Sequence, residues 1–421
     1  MDKMIFSLLL FSMCNVLVAQ DLKTLAAREI EVENFAKAVS FLEQAVASNP
    51  NDAEAWYRLG HCLHWLSYDS TPLPGFDPRA SDRILDCMQK ALALDPHLRN
   101  CYSVIGSEYG ARAEHELQSG DRSGFINQLR LGRNAGGYPD WLLEYACNIL
   151  NSCDPDAILF TGGDAEVFPV WYCQFIDNVR TDVTLAPVPL LDRSWFILAL
   201  KSGLDNSIRP AAMPWTREQI MDMHVSKWTT RTLVLPVPLE AQQRFGIADS
   251  SFQWVLPSDL QRDDRNLLSI NRTITLGLLS ANNWQRPVHF SLGCQSWMLS
   301  NLNDHLQFHG MTYEFVPFSI KDKARKVNIE ATTRFLANPN NFRQLVTLKD
   351  QDIPYISGPL NNYRLVYWQT CDSLLRGGDF KSARLIFDAM EVHVPASVLP
   401  MSEGEKTAFD EMRTRIKALT R

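Results

Sequence analysis

The chain has 421 residues, 46% of them hydrophobic and 21% charged, with a formal net charge of −7. This length exceeds what a single hydrophobic core usually holds, so two or three folded units are expected. Lys and Arg do not gather in runs and the net charge is negative, which excludes the basic footprint of a nucleic-acid-binding protein.

The N-terminal residues have the layout of a secretory signal peptide. Lys3 supplies a positive charge, residues 5–11 are apolar apart from one serine, and the small residue Ala19 precedes the polar Gln20. The apolar run is shorter than the roughly 20 residues that a membrane-spanning helix requires. We therefore predict a signal peptide over residues 1–19 and a periplasmic or otherwise exported mature chain with no transmembrane span.

Two alternatives for this segment stay open. It can remain uncleaved as an interfacial or buried helix, or Cys14 can be lipidated, although the bulky Met13 stands where a lipoprotein signal has a small residue. The other eight cysteines form no CxxC pair, so a zinc cluster has no supporting spacing. Their surroundings are typical of small buried hydrophobes, and any disulfide pairing is left open.

The residues after the predicted signal peptide are self-similar. Residues 34–52 and 84–96 share one helical pattern, and residues 53–66 and 98–112 share another. The offsets of small and large residues resemble the second and first helices of tetratricopeptide repeats. Such helix pairs cannot bury their apolar faces alone, so they stack into a solenoid with a concave surface. We therefore predict tetratricopeptide-like helical repeats over residues 20–151.

An insertion interrupts the second of these repeats. Residues 67–79 contain three prolines and a glycine, which exclude a continuing helix. One interpretation is a loop that contacts a protein or peptide partner through Tyr68 and Phe76, together with Trp56 of the preceding helix. The alternative is a surface insertion that the fold tolerates.

The hydrophobic pattern changes in the middle of the chain, over residues 152–358. A short apolar run at 157–160, a helical segment at 166–178 and a second apolar run at 183–188 predict a parallel βαβ unit. We expect this region to be a layered α/β domain. Further strands are predicted at 232–237, 288–292 and 313–316, and further helices at 266–281 and near 299–308.

Helical periodicity returns over residues 359–421. Residues 361–376 and 380–393 are separated by a Gly-Gly-Asp turn and form a further tetratricopeptide-like pair, and residues 402–420 predict a final helix that caps it. The predicted fold class is α+β, with an N-terminal α-solenoid, a central layered α/β domain and a C-terminal helix pair.

Three segments of the middle region resemble one known family. They are residues 148–191, residues 282–291 (NNWQRPVHFS) and residues 302–317. All three are similar to the uncharacterised extracytoplasmic domain of protein O-mannosyltransferase-like bacterial membrane proteins. The resemblance implies an extracytoplasmic location and an accessory role near the envelope glycan machinery. It does not imply glycosyltransferase activity, because this chain lacks the membrane-spanning portion of that family.

The best candidate ligand site follows the first predicted strand. Gly162 and Gly163 would let a ligand approach the backbone, and the start of the next helix favours anions. Asp164 and Glu166, with Asp192 after the second strand, would line such a site. The alternative is structural, with Asp164 as the N-cap of the helix. The spacing matches neither a dinucleotide-binding motif nor a phosphate-binding P-loop.

Two weaker candidates lie further along the chain. Arg286 could clamp an anion, although a pairing with a carboxylate at the domain edge is the more common arrangement. His305 and His309 would share one face of a helix, but no glutamate follows the first histidine as in HExxH enzymes. We therefore predict no metal site and no cofactor.

These features predict a non-enzymatic scaffold that binds a protein or peptide through its repeats. One alternative is an accessory protein of envelope glycan metabolism that binds a carbohydrate or small anionic ligand at the α/β domain. Another is an enzyme with an unrecognised site around Asp164. No sequence motif nominates a nucleophile or a general base, so an enzyme is the less favoured class.

Overall fold

The computed structural model describes residues 19–68, 76–203, 209–321, 325–345, 348 and 353–419. Apart from Ala19, the predicted signal peptide lies outside these residues. The chain divides into two compact units, Met1–Pro139 and Asp140–Arg421. Within the described ranges, no helix is long and apolar enough to cross a membrane.

The first unit is a series of helices, as the sequence predicts. In chain order they are α1 (residues 19–31), α2 (Phe35–Ser48), α3 (Ala53–Tyr68), α4 (Pro78–Leu94), α5 (Cys101–Ser119) and α6 (Arg122–Asn134). Within this unit, each helix from α2 to α5 packs against the next along the chain. Asp77 starts α4 by accepting a hydrogen bond from the Arg79 backbone N–H, with Pro78 at the first helical position.

Small residues allow close packing between the helices of this unit. Ala38 and Ala45 of α2 are fully buried against α3. At Gly60 of α3, an added Cβ would lie 2.5 Å from the Met88 side chain and 2.9 Å from that of Cys87, both on α4. A larger residue at position 60 would therefore push α3 and α4 apart.

The second unit contains all ten described strands. They are β1 (Ile158–Thr161), β2 (Thr184–Pro187), β3 (Ser226–Lys227), β4 (Arg231–Pro236), β5 (Ser251–Leu256), β6 (Leu260–Arg262), β7 (Arg265–Leu268), β8 (Val288–Ser291), β9 (Leu306–His309) and β10 (Thr312–Phe315).

Ten helices of the described residues accompany these strands. They are α7 (Asp140–Ser152), α8 (Asp164–Phe175), α9 (Ser194–Ser202), α10 (Arg217–Met221), α11 (Leu239–Phe245), α12 (Ile270–Asn282), α13 (Ile329–Leu336), α14 (Ile353–Arg376), α15 (Phe380–His393) and α16 (Glu403–Leu419).

A five-stranded mixed sheet forms the centre of the second unit, in the order β2-β1-β8-β10-β9. β1 pairs in parallel with β2 and β8, and β10 pairs antiparallel with β8 and β9. The predicted βαβ unit is confirmed by β1, α8 and β2. The other strands form a three-stranded sheet, β3-β7-β6, and a two-stranded sheet, β4-β5.

The two faces of the central sheet differ in polarity. On one face Phe160 stacks on Phe290 with ring centroids 4.7 Å apart. On the other face the strand register aligns polar residues, because paired residues of neighbouring strands project to the same side. One row pairs His289 with Glu314 and Glu314 with Gln307, and the next pairs Ser291 with Thr312 and Thr312 with His309.

One predicted helix is wrong. Residues 299–308 contain the end of a 3-10 turn at Ser296–Leu299, a second 3-10 turn at Asn303–His305 and the start of β9. Leu306 and Phe308 are buried and alternate with the polar Gln307 and His309. This period of two favours a strand on a half-polar sheet, so the four-residue spacing of the histidines is not a helical one.

The predicted C-terminal helices are confirmed, with one changed boundary. α15 has the predicted bounds, whereas α14 begins at Ile353 and continues through an internal Pro359. α14 belongs to the second unit. A hydrogen bond links it to α7, in which the Asn148 side chain donates to the Tyr363 hydroxyl at 2.8 Å.

Candidate functional site

The predicted ligand loop after β1 is built around the side chain of Glu166. Gly162 follows β1, Gly163 occupies the N-cap position, and Asp164 begins α8. The buried Glu166 carboxylate accepts hydrogen bonds from the backbone N–H groups of Gly162 at 3.0 Å and Gly293 at 3.1 Å. The amide of Gly162 is therefore directed at a side chain of the same chain.

Two side-chain hydroxyls complete this buried arrangement. Ser291 of β8 donates to Glu166, and Tyr145 of α7 also contributes a hydrogen bond. The Tyr145 hydroxyl in turn accepts from Asn362 of α14 at 2.8 Å. Burial raises the pKa of Glu166, while its four hydrogen-bond donors act in the opposite direction. We call Glu166 and these four donors the Glu166 cradle.

The position of the helix cap differs from the sequence-based alternative. We predicted Asp164 as a possible N-cap, but Gly163 holds that position and makes no side-chain capping bond. Asp164 is instead the first helical residue and is exposed. The prediction was displaced by one residue, because Asp164 already has the helical conformation and the extended Gly163 is the residue before it.

The remaining predicted ligand residues lie at two ends of the sheet. Asp192 follows β2, at the edge where Gly162 follows β1, and forms an ion pair with Arg193 at 3.3 Å. Arg286 lies at the opposite end, where its Nε donates to the Asp156 carbonyl at 2.7 Å and faces its carboxylate at 3.1 Å. The structure therefore does not bring Arg286 together with Gly162, and ligand binding by this set remains a prediction.

A pocket with a volume of about 620 Å³ opens at the other end of β1, on the polar face of the sheet. Asp154, just before β1, and two histidines of that face approach one another there. Its lining consists of Asp154, Pro155, Arg244, Phe245, Pro287, Gln307, His309, Glu314, Phe318, Arg325, Val327 and Asn328. We call it the Asp154 pocket.

His289 of β8 is fully buried beneath this pocket. Its Nδ1 lies 2.9 Å from the Thr312 hydroxyl, which donates to the His309 carbonyl at 2.9 Å. Since a hydroxyl has one proton, Thr312 accepts from His289 Nδ1–H in this arrangement. Nε2 then carries the lone pair, in agreement with the Asp154 backbone N–H that donates to it at 3.3 Å. Burial lowers the pKa of His289, which favours this neutral form.

Two acceptor atoms meet as a consequence. The unprotonated Nε2 of His289 lies 3.1 Å from Oδ2 of Asp154, and Nδ1 of His309 lies 3.9 Å from the same oxygen. His309 Nδ1 is also 3.2 Å from a carboxylate oxygen of Glu314. The two imidazole rings are nearly perpendicular, with centroids 5.1 Å apart. An electropositive group between Asp154 and the histidines would relieve this repulsion.

Two arginines give the pocket positive charge. Arg244 lies over the ring of Phe245 at 4.4 Å, and Arg325 lies over that of Phe318 at 4.1 Å. Among the residues that the structure describes, neither guanidinium has a carboxylate within ion-pair distance. Stacking on aromatic rings orients both guanidinium groups while leaving their N–H donors available.

Sequence reasoning found only part of this site. It singled out His309 but placed it on a helix with His305, whose Nδ1 is instead 2.9 Å from the Phe318 carbonyl. It passed over Asp154 and His289, which are 135 residues apart. One local signal was present, because His289 is the single ionisable residue in the otherwise uncharged strand VHFS.

The predicted partner-contact residues lie in the first unit. The indole N–H of Trp56 donates to the Pro50 carbonyl at 2.9 Å, and Phe76 packs on His115 with centroids 4.9 Å apart. The side chain of Tyr68 lies outside those described. A more exposed aromatic group lies on α3, where the indole N–H of Trp65 donates to His61 at 3.1 Å.

Comparison with known families supports the resemblance in the middle region. Residues 142–258 and 224–333 match the family model of TMEM260-associated domain 2. This is an uncharacterised domain linked to a protein O-mannosyltransferase-like protein. The two matches together span residues 142–333, which is less than half of the chain. No curated protein matches the chain.

Proposed function

We propose that this protein is an exported binding protein whose second unit holds a small anionic carbohydrate, such as a sugar phosphate, in the Asp154 pocket. The observation that carries the proposal is the pair of ring-stacked guanidiniums of Arg244 and Arg325 on the pocket wall. Guanidinium groups suit phosphate and carboxylate because their N–H donors form a planar fork.

The size and chemistry of the pocket agree with a ligand of this class. A volume of about 620 Å³ lies within the range of small-molecule sites. Phe245 and Phe318 provide apolar surface for a sugar ring, and Gln307 and Asn328 provide polar groups for its hydroxyls. The match to a domain linked to a protein O-mannosyltransferase-like protein supports a carbohydrate as the organic part. The signal-peptide layout of the N-terminus supports export.

Calorimetry with mannose 1-phosphate as the probe, and uncharged mannose as the comparison, tests this proposal. We expect mannose 1-phosphate to bind and uncharged mannose to bind much more weakly. Arg244→Gln and Arg325→Gln should each weaken binding about 10- to 100-fold, because each removes hydrogen bonds to a charged group. Arg217→Gln, on the exposed surface of the same unit, is the matched control. Equal affinity in all three variants and the parent would refute the proposal.

A second candidate function concerns the first unit. We propose that its helices form tetratricopeptide-like repeats that bind a protein or peptide partner. The specific observation is an aromatic row on α3, where Tyr57, His61 and Trp65 follow one another at four-residue spacing. Trp65 is 38% exposed, and the other two are half-buried. Exposed aromatic residues are enriched in the energetic centres of protein interfaces.

This candidate is tested by crosslinking the tagged, exported protein in its native envelope. We expect Trp65→Ala to lose a specific crosslinked partner that the parent retains, because the exposed part of the Trp65 ring, which stacks on Phe35, would supply contact area to the partner. Leu94→Ala, a similarly exposed change at the end of α4, should keep it. Retention of the partner in Trp65→Ala would exclude this aromatic row as the contact.

A further inference from the structure

We infer that Asp154, His289 and His309 form a binding site for one divalent transition-metal ion of the zinc type. Each of the three side chains offers one ligand atom, and these atoms all lie within 4.8 Å of one another. Nothing in this inference depends on the proposed carbohydrate, because the three ligands differ from the two arginines that would hold the anion.

The donor set suits such an ion. Imidazole nitrogen and carboxylate oxygen are common zinc ligands, and three protein ligands with one open position are typical of sites that also bind a substrate or water. Two ligand atoms at ~2.0–2.1 Å from a tetrahedral ion lie about 3.4 Å apart. The separations of 3.1 Å and 3.9 Å from Asp154 Oδ2 to the two histidine nitrogens lie on either side of that value.

The surroundings prepare His289 as a ligand. Its Nδ1 is held by the hydroxyl of Thr312, so the Nε2 lone pair is directed at Asp154. A hydrogen bond on the second ring nitrogen is the usual outer-shell arrangement at metal sites, where it fixes both ring orientation and tautomer. The ion would replace the weak hydrogen bond of the Asp154 backbone N–H to Nε2, and it would separate two acceptors that now face each other.

The site is also reachable from solvent. Asp154 has 34% of its side chain exposed, and His309 lines the open pocket with 10% exposed. The fully buried His289 closes the inner side. The fourth position of a tetrahedral ion would therefore point into the pocket. Glu314, 3.2 Å from His309, adds negative charge that favours a cation, and Arg244 on the wall opposes it in part.

Calorimetric titration of the full, chelator-treated protein with Zn²⁺ alone tests this inference, with Co²⁺ absorption as a second readout of coordination. We expect one equivalent of Zn²⁺ to bind the parent. Thr312→Val, which removes an outer-shell hydrogen bond, should weaken Zn²⁺ binding about 10- to 100-fold. Asp154→Asn, which changes a direct ligand, should weaken it more than that. His224→Ala, an exposed histidine in the same unit, should leave the affinity unchanged.

The variants are chosen so that the result does not depend on a damaged fold. Asn is isosteric with Asp at a partly exposed position, Val nearly preserves the shape of Thr312, and thermal unfolding verifies each protein. Failure of the parent to bind Zn²⁺ would overturn the inference, as would equal affinity in the parent and Asp154→Asn. Loss of Zn²⁺ binding in His224→Ala would assign it to a surface site instead. Since the titration contains no carbohydrate, its outcome is separate from that of the carbohydrate test.

Discussion

The Glu166→Gln substitution tests whether the Glu166 cradle holds an ionised carboxylate. In the structure, the backbone N–H groups of Gly162 and Gly293 and the hydroxyls of Ser291 and Tyr145 all surround this side chain. The two amide groups can only donate, so they require acceptor oxygens. Gln keeps one acceptor oxygen and places an NH₂ group where the second oxygen was.

The expected cost follows from the number of donors. At least one buried donor would face the new NH₂ group and lose a hydrogen bond to a charged acceptor, which contributes about 1.5–3 kcal/mol. The free-energy cost of removing that donor from water also remains, because no water molecule takes the place of the lost carboxylate oxygen. We therefore expect the free energy of unfolding of the second unit to fall by about 3 kcal/mol. At a typical urea dependence this lowers the unfolding midpoint by about 1–2 M.

Urea unfolding followed by tryptophan fluorescence is a suitable assay. Of the 11 tryptophans, Trp56 and Trp65 precede Pro139, which leaves nine in the second unit to report on it. Glu330→Gln is the matched control, because Glu330 is exposed on α13 and, among the described residues, its carboxylate forms an ion pair with Arg334 of the next turn. Its effect should stay below about 0.5 kcal/mol, as for other exposed ion pairs.

A small effect of Glu166→Gln would refute this reasoning in a specific way. A protonated carboxyl group and a carboxamide both present an acceptor oxygen on one side and a donating group on the other, so Gln would replace a protonated Glu with little loss. A change within about 0.5 kcal/mol, equal to that of the control, would mean that burial prevails over the four donors and keeps Glu166 neutral.

Two further outcomes are expected. Burial raises the pKa of Glu144 to about 7, with Arg343 and Asp140 the charged groups facing it; Glu144 therefore destabilises the fold increasingly from about pH 4.5 to 7. Above pH 7, Glu144→Gln should raise the free energy of unfolding by about 1 kcal/mol over the parent, a figure discounted for partial exposure, and near pH 4 it should leave it unchanged. Thermal unfolding at both pH values measures this, and a pH-independent gain would contradict it. Oxidised glutathione should join Cys147 and Cys173, whose Sγ atoms lie 2.8 Å apart, releasing two glutathione thiols; peptide mapping that finds both thiols alkylatable would contradict it.

The elements that sequence predicted well are those with a local cause. The bounds of α15 follow from an apolar periodicity that ends at a glycine turn on one side and a proline on the other. β1, four fully buried residues between polar turns, is similarly local. β9 was missed because its alternation covers four residues and competes with the helical spacing of its histidines.

The Asp154 pocket could not be derived in the same way. Asp154 and His289 meet only because β1 pairs in parallel with β8, far along the chain, and His309 joins them through β10 and β9. Strand order is not encoded in any local pattern of these segments. The Glu166 cradle was predicted in part. The sequence indicated a special loop at Gly162 and singled out Glu166, but a second backbone donor to the Glu166 carboxylate, Gly293, lies on a distant turn.

The pairing of β1 with β8 also constrains how the protein can be made. Ile158 pairs with Val288, and Asn148 of α7 bonds to Tyr363, 215 residues later. The helices of the first unit need only their neighbours, so they can form while synthesis continues, whereas the central sheet must wait for most of the chain. A nascent or truncated chain ending before β8 would therefore lack three of the five strands and leave one edge of β1 unpaired, a form that is prone to aggregation and proteolysis.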